Sequence, residues 1–395
     1  IKEGDDEYSL SNSTVRCLFQ DSFKNVWAGM WGGGINFLSH ESSYFNVYSY
    51  SPIQHSGSSL NNKTASSVCV ARDGKLWIGT DGGGINVFDK GKRVAVYKEE
   101  TGDLTDNSIQ AALCDSEGNL WFGSFMGGVD FYDVKKKSFH QIFPKDKTGE
   151  DVRALYEDAE YVWIGTSNGI YKVRLHDKGI ADHYTVENNL VRCISKDNTV
   201  YMDSQNRMWI GTGEGLVCFP SSQSWDYKVY RSEEGLSNVH IRAITEDNHG
   251  NIWVSTNKGI SCLLKDKEVF YNYDHWDNVP MGNFMSGSVA EAKDGTLYFG
   301  SINGLCRFNP DQVLEKRESP AAIITEMRIF GPLRDTDSNE KVMALEGQSE
   351  VRLSYMQNNF SVTFNIQNYA LADQVEYAYM LKGLENSWYT VTDPN

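Results

Sequence analysis

Leu76-Trp77-Ile78-Gly79 returns along the chain as Leu120-Trp121-Phe122-Gly123, Val162-Trp163-Ile164-Gly165, Met208-Trp209-Ile210-Gly211, Ile252-Trp253-Val254-Ser255 and Leu297-Tyr298-Phe299-Gly300, and Val26-Trp27-Ala28-Gly29 precedes it. The seven aromatic anchors lie 50, 44, 42, 46, 44 and 45 residues apart. A period of that length is one four-stranded propeller blade, and it is too long for a leucine-rich or ankyrin unit. Seven anchors predict an all-β, seven-bladed β-propeller over residues 1–317.

What flanks each anchor supports that reading. Hairpin signals such as Asp115-Ser116-Glu117-Gly118-Asn119 and Asp247-Asn248-His249-Gly250-Asn251 come before it, and tight Gly-rich turns such as Asp81-Gly82-Gly83-Gly84 follow it. Leu10, Leu60, Leu104, Leu236 and Met281 stand 17 residues before their anchors, with Asn12, Asn62, Asp106, Asn238 and Asn283 two positions on. In the fifth repeat Leu190 is displaced. An apolar plug followed by Asn suits a connection from the edge of one blade to the centre of the next, with the Asn bonded to backbone. The seventh repeat lacks an outer strand, and Ile1-Lys2-Glu3-Gly4 is expected to supply it and close the ring.

A net charge of −16, with no basic stripe, argues against nucleic-acid or anionic-membrane binding. No run of eighteen apolar residues and no secretory signal are present, and the chain opens at Ile1 within a strand-like segment, which reads as an excised piece. The seven cysteines form no CxxC and read as small buried hydrophobes, without disulfides or metal ligation. No cofactor is expected. From residue 318 the period stops. Strand patterns at 323–330, 360–366 and 376–381 suggest the N-terminal part of an Ig-like β-sandwich, incomplete at Asn395.

The repeats Leu-Ser-Asn…Asp-x-x-Gly-Asn-Leu-Trp-Ile-Gly-Thr…Gly-Gly-Gly-Ile-Asn, best seen at 60–88, 104–132 and 236–263, resemble the regulator-propeller repeat of bacterial hybrid two-component sensors. The stretch Tyr377-x-Tyr379-x-Leu381-x-Gly383-Leu384…Trp388 is similar to the three-tyrosine domain that follows such propellers. The resemblance implies the second of two periplasmic propellers and part of the three-tyrosine domain. The parent would be an inner-membrane histidine kinase, a homodimer spanning the membrane through a segment not present here. In such proteins the periplasmic region recognises an oligosaccharide and controls genes for polysaccharide use. The expected partners are therefore an oligosaccharide and the neighbouring propeller.

By strand order, the Gly-rich turns and the Leu-x-Asn connections open on one face, around the channel mouth. A sugar site needs aromatic planes and planar polar groups there. Trp31 and Phe125, beside Asp81 and with Arg16, Arg153 and Arg242 at inner-strand starts, are candidates; the plain alternative is that Trp31 and Phe125 pack between loops or against another propeller. A second candidate stretch, Tyr271 to Asp277, holds Tyr273, His275 and Trp276, and its alternative is a small core under a long loop. None of the eight histidines pairs at ligand spacing and no acid/base constellation is evident, so no catalytic residue is assigned to this segment. Two other readings stay open: a protein-interaction propeller with its ligand site elsewhere, and a propeller lyase or glycosidase.

Overall fold

The computed structural model describes residues 10–22, 24–38, 40, 44–51, 57–142, 151–167, 169–185, 199–220, 226–265, 267–314, 322–330, 340–345, 350–355, 357–365, 378–383 and 387–390. Each anchor sits in the second strand of its own antiparallel sheet. The second sheet is representative: Ala65–Val70, Leu76–Thr80, Gly84–Asp89 and Lys92–Tyr97 pair in sequence order. The third to sixth sheets repeat it, with inner strands Ile109–Cys114, Val152–Glu157, Thr199–Met202 and Ile241–Glu246. The first sheet has three described strands, Val15–Gln20, Val26–Met30 and Ile35–Leu38.

The chain divides into two compact units. Residues 40–315 hold the second to seventh sheets. Residues 1–39 and 316–395 form the other, which contains the first sheet, a three-stranded sheet of Ile323–Phe330, Glu340–Ala344 and Asn359–Asn365, and a short pair, Ala378–Tyr379 with Tyr389–Thr390. No helix among the described residues is long and apolar enough to cross a membrane.

The outer strand of the seventh sheet differs from expectation. Asn46–Tyr48, not Ile1-Lys2-Glu3-Gly4, pairs with Gly304–Phe308. The reason is apolar packing: Phe45, just ahead of that strand, is buried with its ring 4.8 Å from Phe308 and 5.1 Å from Tyr273. Ile1 to Gly4, the displaced plug Leu190, the turn residue Asn168 and Cys193 lie outside the described residues.

Two recurrent contacts build the blades. In the first, one carboxylate ties a hairpin to its anchor. The indole N–H groups of Trp27, Trp121, Trp163, Trp209 and Trp253 donate to Asp21, Asp115, Asp158, Asp203 and Asp247 at 2.6–3.0 Å. The other oxygen of Asp115 accepts the backbone N–H of Glu117 and Asn119, and that of Asp247 accepts His249 and Asn251. Burial works against the charge of Asp203, but the Trp209 indole and the backbone and guanidinium of Arg207 outweigh it and hold the carboxyl below its ordinary range.

In the second, the glycine two places after the anchor admits the next sheet. A Cβ on Gly79 would lie 2.7 Å from Ile109, one on Gly123 2.3 Å from Val152 and one on Gly211 2.6 Å from Ile241. Each of those neighbours begins the following inner strand. On Gly300 a Cβ would lie 2.2 Å from the carbonyl of Ala65, which starts the inner strand of the second sheet. Within the 40–315 unit the succession of sheets therefore returns on itself. The plugs Leu60, Leu104 and Leu236 are buried and Asn12, Asn62, Asp106 and Asn238 each accept the N–H two residues on, as the sequence pattern predicts, whereas Met281 is exposed. Of the described cysteines, all free thiols, Cys69, Cys218, Cys262 and Cys306 are buried, Cys114 is half-buried and Cys17 is exposed.

Two substitutions test these contacts. Asp247→Ala strands a buried indole and two hairpin N–H groups and is expected to cost about 2–4 kcal/mol in urea unfolding. Gly300→Ala presses a methyl against the Ala65 carbonyl and should cost about 1–3 kcal/mol by the same measurement.

Candidate functional site

Inner strands of all the sheets but the fifth carry, near their start, a kink that the sequence pattern did not disclose. Between the pairs Val152–Thr166 and Ala154–Gly165 the residue Arg153 is extra, a one-residue bulge. Arg16, Ser66, Gln110 and Arg242 occupy the same place in their sheets. A bulge re-aims the extra side chain out of the alternation of the strand. In the seventh sheet the interruption widens to Met285–Ser288, between Phe284–Ser301 and Val289–Phe299.

Two of the re-aimed side chains, Gln110 and Arg153, join with Asp81, Ser108 and Asp151 into an arc over the second, third and fourth sheets. Asp81 accepts from the Ser108 hydroxyl, which accepts from the Gln110 amide at 2.9 Å. Arg153 donates to Gln110 Oε1 at 3.4 Å and through Nε to Asp151. The Arg153 guanidinium also lies 5.8 Å from the centroid of the Phe125 ring, which is 44 % exposed. Asp151 Oδ1 is buried with no hydrogen-bond partner among the described residues. A second group stands at the sixth and seventh sheets, where Arg242 donates to Asn257 Oδ1 at 2.7 Å and Ser286 Oγ at 3.3 Å.

Asp81, Phe125 and Arg153 are thus brought together, and Arg242 heads its own group. Arg16 and Trp31 belong to the other unit and pair with each other, the guanidinium 3.6 Å above an indole that is 61 % exposed. Tyr273 is 5 % exposed and packs between Phe45 and Trp253, so it serves the core. Trp276 is 65 % exposed on a short 3-10 turn, its ring 4.6 Å from that of His275, with the turn capped by Asp274. Sequence reading missed Ser108, Gln110 and Asp151. Their signal is faint: polar residues one or two places to either side of an inner-strand start.

The turn that carries Phe125 is held from beneath. Phe125 N–H donates to Ser108 O at 2.9 Å and Met126 N–H to Asp106 Oδ2 at 3.0 Å. Thr105 Oγ lies 2.9 Å from both Gly127 O and Asp130 Oδ2, and Thr105 N–H donates to the same carboxyl oxygen at 3.0 Å. Asp130 is buried, and desolvation, helped by the charge of Asp106 and opposed by the Thr105 bonds, raises its pKa to about 6.

Comparison with known proteins follows the same repeats. The family described as two component regulator propeller matches residues 9–32, 59–82, 103–126 and 235–258, so the chain carries regulator-propeller repeats. The extracellular domain of the hybrid two-component system BT3049 from B. thetaiotaomicron is 45 % identical, with a TM-score of 0.75, over 100 % of this chain and 58 % of that one. The corresponding domain of BT4673 from the same organism, 19 % identical with a TM-score of 0.55 over 100 % of this chain and 60 % of that one, shares the fold. Histidine kinase P4 of Formosa agariphila is 23 % identical over 97 % of this chain and 32 % of its own length. The chain therefore spans about a third of that curated relative.

The burial difference predicts opposite outcomes for two neighbouring aromatics. Tyr273→Ala should lower unfolding stability by about 3 kcal/mol. Trp276→Ala should leave it within about 0.5 kcal/mol.

Proposed function

We propose that this regulator-propeller chain is the extracytoplasmic sensing region of a hybrid two-component histidine kinase, and that its ligand is an oligosaccharide whose arrival switches genes for polysaccharide use. The likeness to the BT3049 extracellular domain along the whole chain supports the sensor half of that reading. The carrying observation for the ligand is the arc Asp81–Ser108–Gln110–Arg153–Asp151 beside the exposed Phe125 ring. Carboxylate, hydroxyl, amide and guanidinium alternate along it, so vicinal sugar hydroxyls find both donors and acceptors, and the ring offers a face to apolar C–H groups.

In this reading the segment binds and relays but does no chemistry; phosphotransfer belongs to the rest of the parent protein. A sheet assembly stitched by buried carboxylates and close glycine contacts has little room to deform within itself. The signal then travels as a change of orientation against a neighbouring propeller of the same chain or the partner subunit of a homodimer in the periplasm.

Calorimetric titration of the parent's extracytoplasmic region with defined oligosaccharides from several polysaccharide classes tests this. Saturable binding to one class is expected, without product. Arg153→Ala or Phe125→Ala should weaken it at least about tenfold, roughly 1.4 kcal/mol. Turnover of a sugar, or full affinity in both variants, would overturn the assignment.

A further inference from the structure

The polar group beneath the Phe125 turn has one proton too few. Thr105 carries a single hydroxyl hydrogen, and two acceptors stand 2.9 Å from its oxygen: Gly127 O and Asp130 Oδ2. With Asp130 ionised, the hydroxyl can serve only one of them: turned to Asp130 it leaves Gly127 O short, and turned to Gly127 O it leaves Asp130 Oδ2 with the Thr105 N–H alone and two oxygen lone pairs facing each other at 2.9 Å. With Asp130 protonated, the carboxyl donates to Thr105 Oγ and the threonine hydrogen is released to Gly127 O. The close Thr105 Oγ–Asp130 Oδ2 approach then carries a hydrogen, Gly127 O receives one as well, and the Thr105 N–H is accepted by the lone pair left on Oδ2.

The second sheet contains the same device with its hydrogens fixed. Asn86 stands where Asp130 does, nine residues after the anchor. Its Nδ2 donates to Asn61 Oδ1 at 2.7 Å, and Asn61 Nδ2 donates to Gly83 O at 2.7 Å. That chain runs from third strand to connection to Gly-rich turn, and amide hydrogens complete it at any pH. In the third sheet the equivalent chain is complete only when a carboxyl holds a proton.

We propose that Asp130 is a positioning residue of the mouth, whose proton completes a relay through Thr105 that fastens the turn bearing Phe125. The weight this gives Phe125 in ligand binding rests on the sensor reading above; the relay does not. Asp106 is the charged group facing Asp130 from the connection, while Phe122 and Gln141 stand opposite it on the flanking strands and are neutral. Gln141 Nε2 also approaches Gly127 O, at 3.5 Å, too far to replace the threonine hydrogen. The Asp130 carboxyl, shifted by burial to about 6, places the change within the mildly acidic range.

The sign follows from the raised value. The folded state holds the Asp130 proton more tightly than the unfolded chain, so stability grows as pH falls through about 6 and levels near the ordinary carboxylate value of about 4. As pH rises through about 6 that stability is lost.

Two measurements on the protein without ligand test the relay. In amide hydrogen exchange corrected for intrinsic rates, residues 125–128 should be roughly fivefold better protected at about pH 5 than at about pH 7.5, the worth of one neutral hydrogen bond. Asp130→Asn should hold the protection high at both values, as Asn86 does, and Thr105→Val should abolish the pH response. Equal protection at both values in the unsubstituted protein, or a response that survives in Asp130→Asn, would overturn the proposal. In urea unfolding, the difference between Asp130→Asn and the unsubstituted protein should grow between about pH 5 and 7 by about tenfold in the folding constant; a constant difference would also overturn it. Because neither measurement involves a sugar, each can fail while the calorimetric result stands, and the reverse.

Discussion

The bond between a hairpin carboxylate and the anchor indole underlies the rest of the molecule. A blade is a small twisted sheet that cannot bury both faces alone, so the positions of its largest side chains must be set before neighbours can pack. Asp115, Asp158, Asp203 and Asp247 do this by dividing their two oxygens, one to the hairpin backbone and one to the indole. The turn and the anchor are therefore one rigid piece. Neighbouring blades extend it: Glu157 accepts the Ser116 N–H and Glu246 the Ser204 N–H, each carboxylate reaching back to the hairpin of the sheet before. Ala71 and Ala292 stand where the second and seventh sheets would have that aspartate; there Trp77 packs on Tyr97 and Tyr132, and Tyr298 lies against the apolar cluster that holds Leu76, Ile78 and Leu305.

With hairpins and anchors locked on one face, the opposite face is free to vary. The bulges at Ser66, Gln110, Arg153 and Arg242 occur where each inner strand emerges at that face. The anchor-strand glycines let the next inner strand approach closely; the bulge turns the polar side chain out of that seam at Gln110, Arg153 and Arg242, and into it at Ser66, whose hydroxyl bonds Ile109 O. A single structural requirement, fitting wedge-shaped sheets around an axis, thus places partly exposed polar groups at Gln110, Arg153 and Arg242, while Ser66 stays buried against the next inner strand. Overall acidity does not prevent two arginines from standing there, because each is held by neighbouring oxygen acceptors.

Much of the fold was legible because it is written locally. Anchor, hairpin and plug recur at constant offsets, and each is satisfied by contacts within its own repeat or the next. The closing strand was not legible. Residues 1–4 and 46–48 both carry strand character, and the choice fell to Phe45, whose ring finds Phe308 and Tyr273 more than two hundred residues away. Tyr273 illustrates the same limit: an aromatic in a polar loop reads equally as a ligand platform or a core residue until its partner across the sequence is known.

By itself the sequence determined the repeat, the all-β class, the face on which turns and connections gather and the backbone role of Asn12, Asn62, Asp106 and Asn238 after their plugs, because all of these depend on hydrogen bonds and burial spanning a few dozen residues. Tertiary structure alone decided which candidates meet. Asp81, Phe125 and Arg153 come from three different sheets, and they converge only because bulges redirect strand residues and the sheets succeed one another around a common axis. The proton balance at Asp130 belongs to the same category, since an aspartate in place of an asparagine acquires meaning only when its burial and its competition with Gly127 for one hydroxyl hydrogen are in view.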